Sequence, residues 1–147
     1  MNYGRAQASR RGNVLVEFAL GFSMVFALLS GVFQYGYSMY IYNGVEAAVT
    51  AAAMHAARAN YDTRDSSFDT AVKNMAVYGN EAGTGVILVP GLATSNITIS
   101  RLPASGVPRT ITVKVGTLTV NAVFRKFTFT GKPSVTVLFS GEYFTSE

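Results

Sequence analysis

Residues 10–18 read Arg10-Arg11-Gly12-Asn13-Val14-Leu15-Val16-Glu17-Phe18, and the fold follows from how this stretch is read. Before it lies a short basic, polar leader that includes Arg5. After it the chain is apolar through Phe33, and aromatic residues continue at Tyr35, Tyr37, Tyr40 and Tyr42. Residues 14–33 give 20 residues, enough to cross about 30 Å of hydrocarbon as a helix. Twelve of the 20 are Val, Leu or Phe. Each favours insertion by roughly 0.3–0.6 kcal/mol, so together they outweigh the cost of about 3 kcal/mol for one acid, even at the bilayer centre. Glu17 sits near the edge of the span and costs less, so the segment is expected to insert despite it.

The charge pattern orients the anchor. Arginines precede the apolar run and no cationic cluster follows it, so the amino terminus is expected in the cytoplasm and the remainder across the membrane. A net charge of +4 invites a nucleic-acid reading, but Arg5, Arg10 and Arg11 supply most of it. From Asn13 onward the balance is near +1, with cations scattered rather than striped, so no nucleic-acid partner is expected. A secretory signal peptide has an apolar core of about 7–15 residues followed by a small-residue cut site. Here the apolar run is longer and continues through Phe33, Tyr35, Tyr37, Tyr40 and Tyr42 without a polar break, and the Ala-rich stretch Ala47–Ala57, a strong helix former free of proline, follows. The sequence therefore predicts one helix over 13–60, its first half transmembrane (14–33) and its second half outside the bilayer.

Glu17 admits two readings. In one it is an edge acid reaching for water. In the other the chain is cut after Gly12, which frees an amine on Asn13 one helical turn from Glu17. That amine is mostly protonated near neutral pH and can pair with Glu17 of its own or a neighbouring chain. A paired acid is tolerable in an apolar bundle and an unpaired one is not. Gly12 suits such a cut, because a peptidase must hold the chain extended and close to its catalytic groups.

Residues 61–147 read as an extracytoplasmic α+β domain. A break spans Arg58–Ser67, and Ser67 is expected to cap a second helix through about Tyr78, with Phe68, Ala71, Val72, Met75 and Ala76 at helical spacing. Gly79-Asn80 ends it, and a long loop with Gly83, Gly85, Pro90 and Gly91 follows. The period then changes to two at Ile97/Ile99, at Ile111/Val113/Val115, at Leu118/Val120/Ala122/Phe124 after a kink or turn at Gly116, and at Val135/Val137/Phe139 after a turn at Gly131-Lys132-Pro133. Three to five antiparallel strands are expected, with the helix covering their apolar face. The fold class is thus α+β: a long, partly transmembrane N-terminal helix packed on a small antiparallel sheet domain.

Catalytic residues and cofactors are not expected. His55 is the only histidine and sits among alanines, where it reads as a helix-face residue, and no Ser-His-acid arrangement is credible with that one imidazole. Cysteine is absent, which leaves no disulfide and no thiolate metal site. Asp62, Asp65 and Asp69 surround a helix start, but they lack the glycine and terminal glutamate of a recognised calcium loop. Calcium binding there stays open.

With these residues set out, the chain resembles the TadE-like family, pilin-like proteins of tight-adherence (Tad/Flp) type IV pilus systems. The resemblance runs from Arg11-Gly12-Asn13-Val14-Leu15-Val16-Glu17-Phe18-Ala19-Leu20 through Tyr42-Asn43-Gly44 to Arg58. It resumes at Tyr78-Gly79-Asn80, at Leu88-Val89-Pro90-Gly91-Leu92, and in the closing Thr/Val strand pairs. It implies a class III leader over 1–12, a prepilin peptidase cutting between Gly12 and Asn13, and assembly in which Glu17 and Phe18 set the helix register. The implied partners are that peptidase, other pilin-like subunits, pilus assembly proteins and the membrane, with self-assembly into filaments. The implied location is the inner membrane, single-pass, and then an extracellular pilus. Asn13 stands where many major pilins carry a hydrophobic or aromatic residue, and methylation of its amine stays open. The chain is far longer than the short major pilins of Tad systems, which points to a minor pilin or pseudopilin. The alternative is an uncleaved single-pass membrane protein with an extracytoplasmic binding domain.

Overall fold

The structure, a computed structural model, describes residues 3–62, 66–104, 106–122 and 124–144, with side chains for those of them from 12 to 143. Met1, Asn2 and Asp65, and the side chains of Arg5, Arg10 and Arg11, lie outside the described residues. Two units are distinguished, residues 1–37 and 38–147. Helix α1, Tyr3–Arg58, supplies all of the described first unit and the opening of the second. It begins at Tyr3, ahead of the expected Asn13, and it ends at Arg58 rather than Asn60. No proline interrupts it, so nothing in its sequence forces a break at the leader.

In the first unit, residues 12–29 are all exposed. In the second, the α1 segment buries one face: Ile41, Val45, Ala48, Val49, Ala52, Ala53 and Ala56 are at most 4% exposed. Their spacing of three and four residues is the period of a single helical stripe. Alanine at most of these positions lets a neighbouring layer approach closely.

That layer is a second helix and a bent sheet. Helix α2, Ser67–Tyr78, buries Phe68, Val72, Ala76 and Val77. Ser66 rather than Ser67 occupies its N-cap, and the Ser66 side chain makes no capping hydrogen bond. The C-terminal end follows expectation. Gly79 takes the left-handed conformation at φ 73°, and its N–H donates to the Met75 carbonyl.

Seven strands are present among the described residues: β1 (Tyr61–Asp62), β2 (Ile97–Leu102), β3 (Thr110–Val115), β4 (Thr117–Asn121), β5 (Lys126–Thr130), β6 (Ser134–Leu138) and β7 (Tyr143–Phe144). The sheets run β2-β3-β6 and β4-β5, both antiparallel, and β1 pairs with β7 in parallel. The register shows that β3–β4 and β5–β6 are the two arms of one long hairpin. Lys114 faces Ser134, and Thr117 faces Thr130. Two residues of one arm, Val115 and Gly116, therefore oppose the three residues Gly131-Lys132-Pro133 of the other, which is a bulge. Val115 N–H donates to the Pro133 carbonyl, and Gly131 N–H to the Gly116 carbonyl. The expected turn at Gly131-Lys132-Pro133 is thus a bend within a continuing arm, and Gly116 is the kink opposite it. Glycine and proline serve bulges as readily as turns, so composition alone does not separate the two.

The bend also changes which residues face inward. Ile111, Val113 and Val115 are buried before it, and Leu118 and Val120 after it. The described ends of the two arms close where Ala122 N–H donates to the Arg125 carbonyl. Strand β4 therefore ends at Asn121, and Ala122 and Phe124 do not extend it. The α+β class expected from the periodicity is the class observed.

Candidate functional site

The site marked by the sequence lies on one helix. Gly12, Asn13, Glu17 and Phe18 all fall within α1 and are exposed. Asn13, Glu17 and Gly21 are four residues apart, so they share a face. Gly21 adds no side chain beside the Glu17 carboxylate, and a Cβ built there would meet nothing within 4 Å. The carboxylate thus has an open approach on its C-terminal side, with Asn13 one turn away on the other.

A Cβ at Gly12 would likewise meet nothing within 4 Å. Glycine in a helix interior is about 1 kcal/mol less favourable than alanine. Nothing in the described structure compensates for that cost, so packing does not account for Gly12.

Phe18 begins a ladder. Its ring stacks on Phe22 at 6.1 Å between centroids, and Phe22 stacks on Phe26 at 6.2 Å, with interplanar angles of 21° and 20°. Spacing by four stacks these rings along one side of the helix. The ladder was not singled out from the sequence, although its i, i+4 signal is there. Ser23 Oγ donates to the Ala19 carbonyl at 2.7 Å, which satisfies that hydroxyl within the apolar stretch. The segment is long and apolar enough to cross a membrane, with a mean hydropathy of 2.0 in its best window and none of that window buried.

The second unit has its own polar features. His55 Nε2 lies 3.5 Å from Glu81 Oε1, at a cleft of about 470 Å³ bordered by Arg58, Asn60 and Phe68. This places His55 on a helix face with an acid neighbour, and Ser67, at the start of α2, borders the same cleft. Asp69 forms an ion pair with Arg101 of β2. The Arg101 guanidinium lies 5.0 Å from the centre of the Tyr61 ring and 5.3 Å from that of Phe68. The Asp69 carboxylate is therefore already engaged within the fold. Among the described residues no group of three or more His, Asp or Glu side chains is placed to hold a metal ion.

Comparison with known proteins adds one finding. The family model described as TadE-like protein matches residues 12–54, the stretch that opens at Gly12 and carries Glu17, Phe18 and the apolar helix. It is the family that the sequence resembles, and it points to a Tad-pilus-associated, pilin-like protein anchored through one apolar helix. No curated protein and no solved structure matches the chain.

Proposed function

We propose that the chain is a structural pilin-like subunit, a minor pilin or pseudopilin, of a Tad/Flp-type pilus. A prepilin peptidase cuts it between Gly12 and Asn13, and its apolar helix then passes from lipid into a bundle of like helices. The observation that carries this reading is the family match beginning at Gly12, on a helix whose residues 12–29 are exposed, predominantly apolar, and interrupted by one acid. Such a surface needs a cover, which lipid provides first and neighbouring helices provide later.

The chemistry follows from the residues. The bond after Gly12 lies in helical backbone, so a peptidase must unwind the helix locally. Glycine lowers the cost of that unwinding and leaves the peptide unobstructed. Cutting creates an ammonium on Asn13 one turn from Glu17. Inside a helix bundle the carboxylate finds its partner in such an ammonium, and a misregistered helix leaves it unpaired at a cost of several kcal/mol. Glu17 therefore selects the axial position of each subunit, and the Phe18 ladder packs once that position is reached. Orientation follows the basic leader, with the amino terminus cytoplasmic and residues 61–147 outside. The subunit's task is assembly rather than turnover.

Glu17→Ala tests this reading against the uncleaved single-pass alternative. The variant is expected to insert and to be cut, but to be missing from sheared pilus fractions. Incorporation at the wild-type level contradicts the register role.

A further inference from the structure

Two stretches of the 38–147 unit come against residues 40–44, at the start of its α1 segment and the end that continues into the apolar span: residues 88–90 and the second hairpin arm at Phe129. The first belongs to the loop after α2. Val86, Ile87 and Leu88 are 87%, 44% and 53% exposed. The loop is seated against α1, because a Cβ on Gly44 would come within 3.2 Å of Val89. Leu88, Val89 and Pro90 border a cleft of about 300 Å³ with Tyr40 and Ile41. Tyr40 itself is 72% exposed.

The other, the second hairpin arm, leads to the hairpin tip. At one end of the second arm, Ser140 N–H donates to the Ala57 carbonyl at 2.8 Å. Nearer its start, the Phe129 ring lies 5.6 Å from the Tyr42 ring. Followed back from Ser140, this arm therefore runs from the C-terminal end of α1 towards Tyr42. Lys126 lies three residues further, about 10 Å at the rise of a strand. The tip carries Phe124, 59% exposed, followed by exposed Arg125 and Lys126.

Large apolar side chains that face solvent next to cations match the boundary between acyl chains and phosphates in a lipid leaflet. Tyr40 and Tyr42 suit the same boundary, where aromatic belts sit. We infer that this end of the outer unit is a lipid-contacting rim. Val86, Ile87 and Phe124 enter the headgroup region of the leaflet from which α1 emerges, and Arg125 and Lys126 meet lipid phosphates. Charge complementarity and direct chain continuity with the apolar span single out phospholipid as the occupant. The inference rests on α1 crossing the bilayer, and it is independent of cutting after Gly12 or of polymerisation. The rim would hold the outer unit against the membrane until the subunit is extracted.

The absence of cysteine makes single-site labelling clean. Full-length Ile87→Cys, Phe124→Cys, Ser100→Cys and Leu20→Cys variants, each carrying an environment-sensitive fluorophore, are placed in nanodiscs of phosphatidylethanolamine and phosphatidylglycerol with doxyl-labelled lipids. Shallow doxyl groups should quench the labels at 87 and 124, deep ones the label at 20, and neither the label at 100 on the exposed sheet face. Combining Arg125→Glu with Lys126→Glu should lower the lipid-bound to free ratio at position 124 by about tenfold or more. If 87 and 124 behave like 100 while 20 is quenched, the rim is overturned and the anchor stands. An unquenched label at 20 overturns both. Protection at 87 and 124 that vanishes at one copy per disc identifies a neighbouring chain as the occupant and also overturns the rim.

Discussion

On the proposed reading, Gly12 is the residue at which folding and processing make opposite demands. With open space around it and helical backbone on both sides, Gly12→Ala should strengthen α1 locally by up to about 1 kcal/mol. On the proposed reading the same change should slow peptidase cutting, and the bulkier Gly12→Val should block it, measured as the ratio of precursor to mature band in membranes. A site kept only for helix packing would show no processing effect in either variant. Arg101 has its role inside the fold. Its guanidinium pairs with Asp69 and stacks over Tyr61 and Phe68. Arg101→Ala should cost about 1–2 kcal/mol in denaturant unfolding of the 38–147 unit, since a partly desolvated cation–π contact is lost with the ion pair. Arg101 was not legible as a key residue in the sequence, because its partners come from β1 and α2, far away in the chain. Glu17 was legible, because an acid in an apolar run needs no tertiary information to stand out.

At the scale of elements, the long helix could be read from its unbroken apolar and alanine-rich length, and the alternating strands from a period of two that shows within a few residues. Strand β5, Lys126–Thr130, alternates equally well but was not counted, and its role depends on the bulge at Gly131–Pro133. The two-residue strands β1 and β7 are too short for any period to show. Their pairing depends on a close backbone approach instead. Tyr61 N–H donates to the Glu142 carbonyl at 2.9 Å, and the Tyr61 and Tyr143 rings stack at 5.9 Å. A Cβ on Gly141 would stand 2.2 Å from the Ala59 carbonyl oxygen, backbone that has little room to yield. Gly141→Ala should therefore detach the C-terminal strap from α1, seen as faster amide exchange at Tyr61 and a lower Tm, while β3 keeps its protection. Ile111 in β3 is fully buried, and Ile111→Ala should cost about 2–5 kcal/mol in unfolding free energy through cavity formation.

At the scale of the whole molecule, two surfaces are solved differently. The 38–147 unit buries a core between its own alanine-lined helix face, α2 and the bent hairpin, leaves Val86, Leu88 and Phe124 exposed, and has no fully buried polar side chain among the described residues. Residues 12–29 are left for other molecules to cover, and a single acid among them dictates what those molecules must offer. The account rests on that acid meeting an ammonium created by a cut. Intact-mass spectrometry of the protein isolated from cells with an active prepilin peptidase tests this most directly. The account predicts a chain beginning at Asn13, with or without a methyl group on its amine. A chain that still begins at Met1 contradicts it.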